Sequence, residues 1–284
     1  MQSVVVTGTS TGIGWGTAKV LVARGFRVFG SVRKQADADR LAREFGPNFV
    51  PLIFDVTDEA AVRAAAGQVR EALQGETLFG LVNNAGVAVA GPLLHLPIAD
   101  FRQQMEINLT GVVIATQAFA PLLGIDPALK GKPGRIINIS SVGGRNGTPF
   151  LAPYSASKFA LEGLSESLRR ELLLFGVDVI VIAPGAVATA IWGKAERVDV
   201  TPYRQTPYAP ALDRIRTYMV ALGSKGLPPE RLGEVVWQAL TAAKPKVRYT
   251  VAPDPLQVFL ASNLPRRIVD RLIGGRLGLL PARH

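Results

Sequence analysis

Gln2 to Val6 read QSVVV and pass directly into TGTSTGIG at residues 7–14, after which Ile13, Ala18, Leu21 and Val22 form the inward side of a helical pattern. Few folds accept that succession. A short β-branched run suits a buried parallel strand. Gly8 then permits a tight turn, Gly12 lets the backbone approach a pyrophosphate, and Gly14 allows close helix–strand packing. The helix start offers unpaired amides and the positive end of its dipole to phosphates, and Ser10 and Thr11 add hydroxyls in the same turn. The spacing predicts the first half of a dinucleotide-binding unit, with Gly8, Ser10, Thr11, Gly12, Ile13 and Gly14 at the cofactor.

The rest of the chain repeats the strand–helix alternation. Strands are expected at Ser3–Thr7, Arg27–Ser31, Phe49–Asp55, Leu78–Asn83, Gly134–Ser140, Asp178–Ala183 and Val247–Val251. Helical patterns fall around 12–24, 36–45, 58–73, 98–123, 153–175 and 228–243. Such alternation predicts an α/β fold: a doubly wound, Rossmann-type parallel sheet of about seven strands with helices on both faces. Ligands of such sheets bind at the C-terminal strand ends. Each polar or glycine-rich motif falls at one: TGTSTGIG after the first strand, Arg33 after the second, Asp55 at the third, NNAG (83–86) at the fourth, Ser141 after the fifth and PGAVAT (184–189) after the sixth. We read residues 1–284 as a single catalytic domain. Its irregular, proline-rich stretch WGKAERVDVTPYRQTPYAP (192–210) with the helix near 211–222 marks 190–225 as a substrate loop or cap, and 252–284 is a variable basic tail.

Tyr154 and Lys158 lie four residues apart in YSASK, thirteen and seventeen residues beyond Ser141. Residues i and i+4 share a helix face. An ammonium there is expected to draw the phenol's pKa down from its reference of about 10. A phenol so placed exchanges a proton with a carbonyl or alcohol, while a serine hydroxyl meets the same oxygen as charge develops. This is the chemistry of a ketone reductase or alcohol dehydrogenase with a bound hydride carrier.

Composition removes competing chemistries. There is no cysteine, which excludes disulfides and thiolate catalysis and makes a cytoplasmic setting the simplest expectation. Two histidines, His95 and His284, leave little for a metal site, so none is expected, and His95 in GPLLHLP is read as packing rather than catalytic. No leader is expected before Val4, and no apolar run of bilayer length is evident. The net charge is +10, of which residues 190–284, with 15 basic and 7 acidic side chains, hold +8. Without nucleic-acid motifs this reads as a solvated surface rather than a nucleic-acid site. In the tail, Arg266, Arg267, Arg271 and Arg276 stand among leucines and isoleucines. Pro265 and Gly274–Gly275 are expected to break any long amphipathic helix, so packing is favoured over peripheral membrane contact.

Taken together, TGTSTGIG, DVTD at 55–58, NNAG, Asn108 in MEINLTG, NISSVGG at 138–144, YSASK and PGAVAT make residues 1 to about 190 resemble the short-chain dehydrogenases/reductases. The likeness is greatest to the standard branch and its hydroxysteroid- and retinol-dehydrogenase-like group. The resemblance implies a catalytic tetrad of Asn108, Ser141, Tyr154 and Lys158. Tyr154 is then the acid/base, Ser141 polarises the substrate oxygen, Lys158 lowers the tyrosine pKa and holds the nicotinamide ribose, and Asn108 anchors a water. It also implies Asp55 and Val56 beside the adenine, and Asn84, Ala85 and Gly86 along its ribose. Pro184, Gly185, Val187 and Thr189 then lie near the carboxamide and diphosphate, and the assembly is a homodimer or homotetramer.

Cofactor choice rests on FGSVRK, where Val32 occupies the place of the acid that holds a ribose 2′-hydroxyl, and Arg33 and Lys34 follow. A guanidinium can grip a 2′-phosphate bidentately, so NADP(H) is expected over NAD(H), with Arg33 and Ser31 at the phosphate. The substrate implied is a bulky apolar secondary alcohol or ketone, with Leu93, Phe150, Ile191, Trp192 and Tyr203 lining its pocket. A non-catalytic dinucleotide sensor and a lipid-binding protein that uses the basic tail are the competing readings.

Overall fold

A computed structural model describes residues 1–188 and 200–281. Seven strands, β1 (Ser3–Val6), β2 (Arg27–Val32), β3 (Phe49–Ile53), β4 (Gly80–Asn83), β5 (Arg135–Ile139), β6 (Asp178–Pro184) and β7 (Arg248–Val251), form one sheet. Every neighbouring pair is parallel, in the order β3-β2-β1-β4-β5-β6-β7. All seven expected strands are present, with ends displaced by one or two residues. The chain runs outward from β1 to β3, then returns to lay β4 on the other side of β1. That reversal opens a crevice at the C-terminal ends of β1 and β4, where ligands of doubly wound sheets bind.

Helices α1 (Gly12–Ala23), α2 (Gln35–Phe45), α3 (Glu59–Leu73), α4 (Ile98–Met105), α5 (Gly111–Phe119), α6 (Ala152–Glu171), α7 (Ala209–Ser224), α8 (Pro229–Thr241), α9 (Pro255–Asn263) and α10 (Arg266–Leu277) follow in chain order. The pleat sends alternate strand residues to opposite faces. Val4 and Val6 pack with Leu21 of α1 and Leu232 and Val236 of α8, whereas Val5 packs with Val62 and Val69 of α3 and Phe119 of α5. Both faces are thus covered, which is why the strands read as continuous apolar runs.

The helix expected over 98–123 is interrupted. Glu106–Thr110 winds as a π-helix between α4 and α5, a departure that often marks a functional site. The span Ile98–Leu123 is also long and apolar enough to cross a bilayer by length and composition, contrary to the expectation that no run is, yet half of its apolar window is buried inside the fold.

The tail differs from its expectation too. Pro265 does separate α9 from α10, but α10 runs through Gly274 and Gly275 and ends only at Gly278, in the left-handed conformation at φ 70°. Gly274 is buried with Leu280 folded against it, and a Cβ there would stand 3.0 Å from the Leu280 methyl, so close packing holds this turn despite two glycines. Leu277 of α10 joins Leu212 and Ile215 of α7, Phe150 and Tyr203 in a third apolar cluster, beside the sheet rather than on it.

Candidate active site

The glycine turn is fixed from below by its neighbours. Gly8 and Gly12 hold φ of 71° and 62°, open to glycine at little cost. The Gly8 amide donates to the Ser31 hydroxyl at 2.9 Å, and the Thr9 amide and hydroxyl donate to the Ser31 carbonyl at 2.8 and 3.1 Å. Arg40 of α2 donates to the Ser10 carbonyl at 2.7 Å. Ser31, at 2% exposure, thus supports the loop from below through its hydroxyl and carbonyl. Thr11 is the N-cap of α1 but makes no side-chain cap, so the first-turn amides remain donors for an anion. Gly14 sits where a Cβ would lie 2.1 Å from the Gly8 carbonyl oxygen and 2.4 Å from Asn84 Nδ2. This glycine-lined turn fits a dinucleotide pyrophosphate, with Gly8, Ser10, Thr11, Gly12 and Ile13 along it.

Asn84 and Thr7 stitch β4 to that turn. The Asn84 amide side chain donates to the carbonyls of Thr7 and Gly8 at 2.8 and 3.0 Å, and the Thr7 hydroxyl accepts from the Asn84 and Ala85 amides at 2.9 and 3.0 Å. The side chain of Asn84 thus braces the loop, Ala85 lies against Gly8, and Gly86 faces Asn108. Asp55 ends β3. Burial draws its pKa up, but the Thr57 amide and hydroxyl and the nearby Arg33 outweigh it and leave the carboxyl lowered. Asp58, not Asp55, caps α3, accepting from the Ala61 amide at 3.0 Å. Val56 is buried against Gly111. Arg33 is 69% exposed and stands 3.6 Å from Asp55, a loose pair worth little in water and easily exchanged.

The π turn places Asn108. Its Oδ1 accepts from the Val87 amide at 2.9 Å, and its Nδ2 donates to the Val87 carbonyl at 3.0 Å and to Ser157 at 3.2 Å. Ser157 in turn donates to the Tyr154 carbonyl at 2.7 Å. Asn108 thereby ties the backbone after NNAG to the helix that bears the tyrosine. Gln104, four residues earlier and fully buried, holds the same segment through the Val89 amide and the Val87 carbonyl at 2.7 and 2.9 Å. Sequence reading missed Gln104, Thr7 and Ser157. The signal for Gln104 was a polar residue on the same helical face as Asn108 in an apolar stretch.

Ser141, Tyr154 and Lys158 converge. The Ser141 hydroxyl accepts from the Gly143 amide at 3.0 Å, and Ser141 and the Tyr154 ring both lie against Gly143. Lys158 Nζ donates to the Ile139 carbonyl at 2.8 Å and lies 5.8 Å from the tyrosine ring centre. Burial lowers the Lys158 pKa to about 8, against the opposing pull of Glu162. For Tyr154 the outcome reverses the expectation: burial raises its pKa, with the Ser141 contact only partly offsetting. In the protein alone, desolvation of the phenolate exceeds any attraction to an ammonium whose proton is held by a backbone carbonyl.

β6 ends at Pro184, and Gly185 packs against Ala252. Val187 bridges to Leu227, with the Ala188 amide donating to the Leu227 carbonyl at 2.8 Å. Thr189, Ile191 and Trp192 lie outside the described residues. Of the other pocket candidates, Phe150 and Tyr203 are buried in the third cluster, whereas Leu93 is exposed. His95 is exposed, with its ring edge-on to Tyr208 at 6.0 Å between centres. Among the described residues no cluster of acids and histidines could hold a metal.

Residues 2–199 match the short chain dehydrogenase family. The chain is 41% identical over 273 residues to an NADPH-dependent 3-dehydrocapnine reductase of Ornithobacterium rhinotracheale, with 96% of each chain covered. It is 34% identical to human retinol dehydrogenase 5, covering 95% of this chain and 87% of that one. A solved short-chain dehydrogenase from Streptomyces avermitilis superposes with a TM-score of 0.74 at 26% identity, over 98% of this chain and 97% of the other. With a nucleotide crevice at the sheet's reversal point and a serine, tyrosine and lysine converging beside it, this chain belongs to the short-chain dehydrogenase family of oxidoreductases.

Proposed function

We propose that the protein is an NADPH-dependent reductase of a bulky apolar ketone, with a ketone of the 3-dehydrocapnine kind as the first candidate. The observation that carries the reading is the convergence of Ser141 and Tyr154 on Gly143, with Lys158 Nζ 5.8 Å from the tyrosine ring centre. The 41% identity to a reductase of that description supports the cofactor and the substrate class. The test is turnover of 3-dehydrocapnine and a panel of apolar ketones with NADPH and NADH; no oxidation of NADPH by any of them would reject the proposal.

A bound nicotinamide would supply the hydride for the carbonyl carbon. The protein supplies the proton and the geometry. Ser141 accepts from the Gly143 amide, which leaves its own hydrogen free for a substrate oxygen. Because burial keeps Tyr154 a neutral phenol at neutral pH, it holds the proton that the new alkoxide needs. Lys158, fixed by Ile139, stands ready to stabilise the phenolate left behind.

Two measurements follow at the cofactor. Arg33→Ala is expected to weaken NADPH by roughly 10- to 100-fold, as loss of charge-assisted hydrogen bonds costs about 1.5–3 kcal/mol, and to change NADH by less than about twofold on the same scale. Equal losses would reject the 2′-phosphate contact. Lys158, with a pKa of about 8, is partly neutral in mildly alkaline solution. An anionic cofactor favours the ammonium and raises that pKa, so binding takes up a proton above pH 8. NADPH affinity should therefore fall as pH rises through that region. Calorimetric titration in buffers of different ionisation enthalpy checks this, and Lys158→Met should abolish the uptake.

A further inference from the structure

α10 presents two faces of different character. Val269, Ile273 and Leu277 turn inward, and Leu277 packs with α7. The opposite side carries Ile268 and Leu272, 45% and 57% exposed. At 100° per residue, Arg267 and Arg271 flank that pair on one side and Arg276 on the other. All three arginines are exposed, and none has an acidic partner among the described residues. α9 continues the surface with Leu256 and Phe259, 67% and 62% exposed, and Leu280 follows α10 at 52%. Large apolar side chains this exposed along two consecutive helices exceed the scattered exposure usual for a monomer surface.

Both helices are also fastened to the loop that follows Ser141. Arg266 donates to Asn146 Oδ1 at 2.9 Å, and Asn146 Nδ2 donates to Ser262 at 2.7 Å, five residues beyond Ser141. Arg214 of α7 donates to the Leu277 carbonyl at 3.0 Å and fixes the other end. The exposed strip is therefore tied to the segment that follows Ser141 and to α7, not left on a free tail.

We propose that α9 and α10 form a docking surface for an anionic lipid bilayer, laid in the headgroup plane with the segment that follows Ser141 tied to it. Apolar side chains between cations are what an interfacial helix needs, the leucines entering the acyl boundary and the arginines meeting the phosphates. A second copy fits less well: a two-fold contact over this patch would set Arg267, Arg271 and Arg276 against their own copies, with Asp270 the one acid on α10 to offset them. The inference does not rest on the proposed reaction, since docking is read without turnover.

The test is flotation of the full chain with vesicles of phosphatidylcholine containing phosphatidylglycerol, against vesicles of phosphatidylcholine alone. The protein should float with the first and not the second. Arg267→Gln with Arg271→Gln should lower the partition coefficient about 25-fold, roughly fivefold per charge. Ile268→Ser with Leu272→Ser should lower it as well, with NADPH binding retained as the control for folding. No flotation of the wild-type chain, or flotation untouched by both variants, overturns the proposal. If wild-type protein fails to float and the Ile268/Leu272 variant halves the sedimenting mass, the surface belongs between copies.

Discussion

Tyr154→Phe should reduce kcat by about 10²–10⁴-fold, the contribution of a positioned general acid, which is about 3–5 kcal/mol of barrier. The ring that fills the site is retained and only the proton is removed, so NADPH affinity should stay within about twofold on the same energy scale. The unusual part lies in the pH dependence. Because burial raises the tyrosine, the phenol remains protonated across the range in which Lys158 loses its charge near pH 8. Reduction by the wild-type chain should therefore fail on the alkaline side through the lysine first. An alkaline limb of kcat/KM for the free enzyme near 8, moved by Lys158→Arg and not by Ser141→Ala, is the expected profile. A limb unmoved by Lys158→Arg would return the control to Tyr154.

Gly14→Ala should be the most damaging substitution in the nucleotide turn. The added carbon would stand 2.1 Å from the Gly8 carbonyl oxygen, and a backbone atom cannot swing aside as a side-chain tip can. Either α1 moves away from β1 or the turn opens. Overpacking of this kind costs about 1–3 kcal/mol, and a melting temperature lower by roughly 2–10 °C follows for a chain of this size. NADPH affinity should drop by roughly 100-fold or more, since the amides of α1 lose their aim. Gly67→Ala gives the contrast, because nothing lies within 4 Å of a Cβ there, in the middle of α3. That change should stabilise the protein by about 0.5–1 kcal/mol. Similar behaviour of the two variants would remove steric exclusion as the reason for glycine at 14.

The sheet was legible because parallel strands buried on both faces must be short and apolar, as β1 and β6 are, although the edge strand β7 is only partly buried. Their functional ends were legible for the same reason, since polar residues directly after such strands have few purposes. What the sequence hid depends on tertiary accounting. Ser31 reads as a free hydroxyl until the Gly8 amide is seen to need an acceptor. The π turn at Asn108 has no local signature, because it answers the Val87 backbone brought across by β4. The direction of the Tyr154 pKa turned on burial, which a spacing of four residues does not report. Gly274 and Gly275 read as helix breakers, and only the fold of Leu280 over Gly274 shows why α10 continues.

The placement of β1 inside the sheet has a consequence for biosynthesis. The parts of the nucleotide turn, from Gly8 to Asn84, leave the ribosome before the residues that supply the acid. The first four strands can pair as β3-β2-β1-β4 while β5 and its serine are still being made. During that interval β4 is a bare parallel edge, open to pairing with other nascent chains. The same topology that creates the cofactor crevice thus sets a vulnerable stage in translation, which ends when Arg135–Ile139 arrives to cover it.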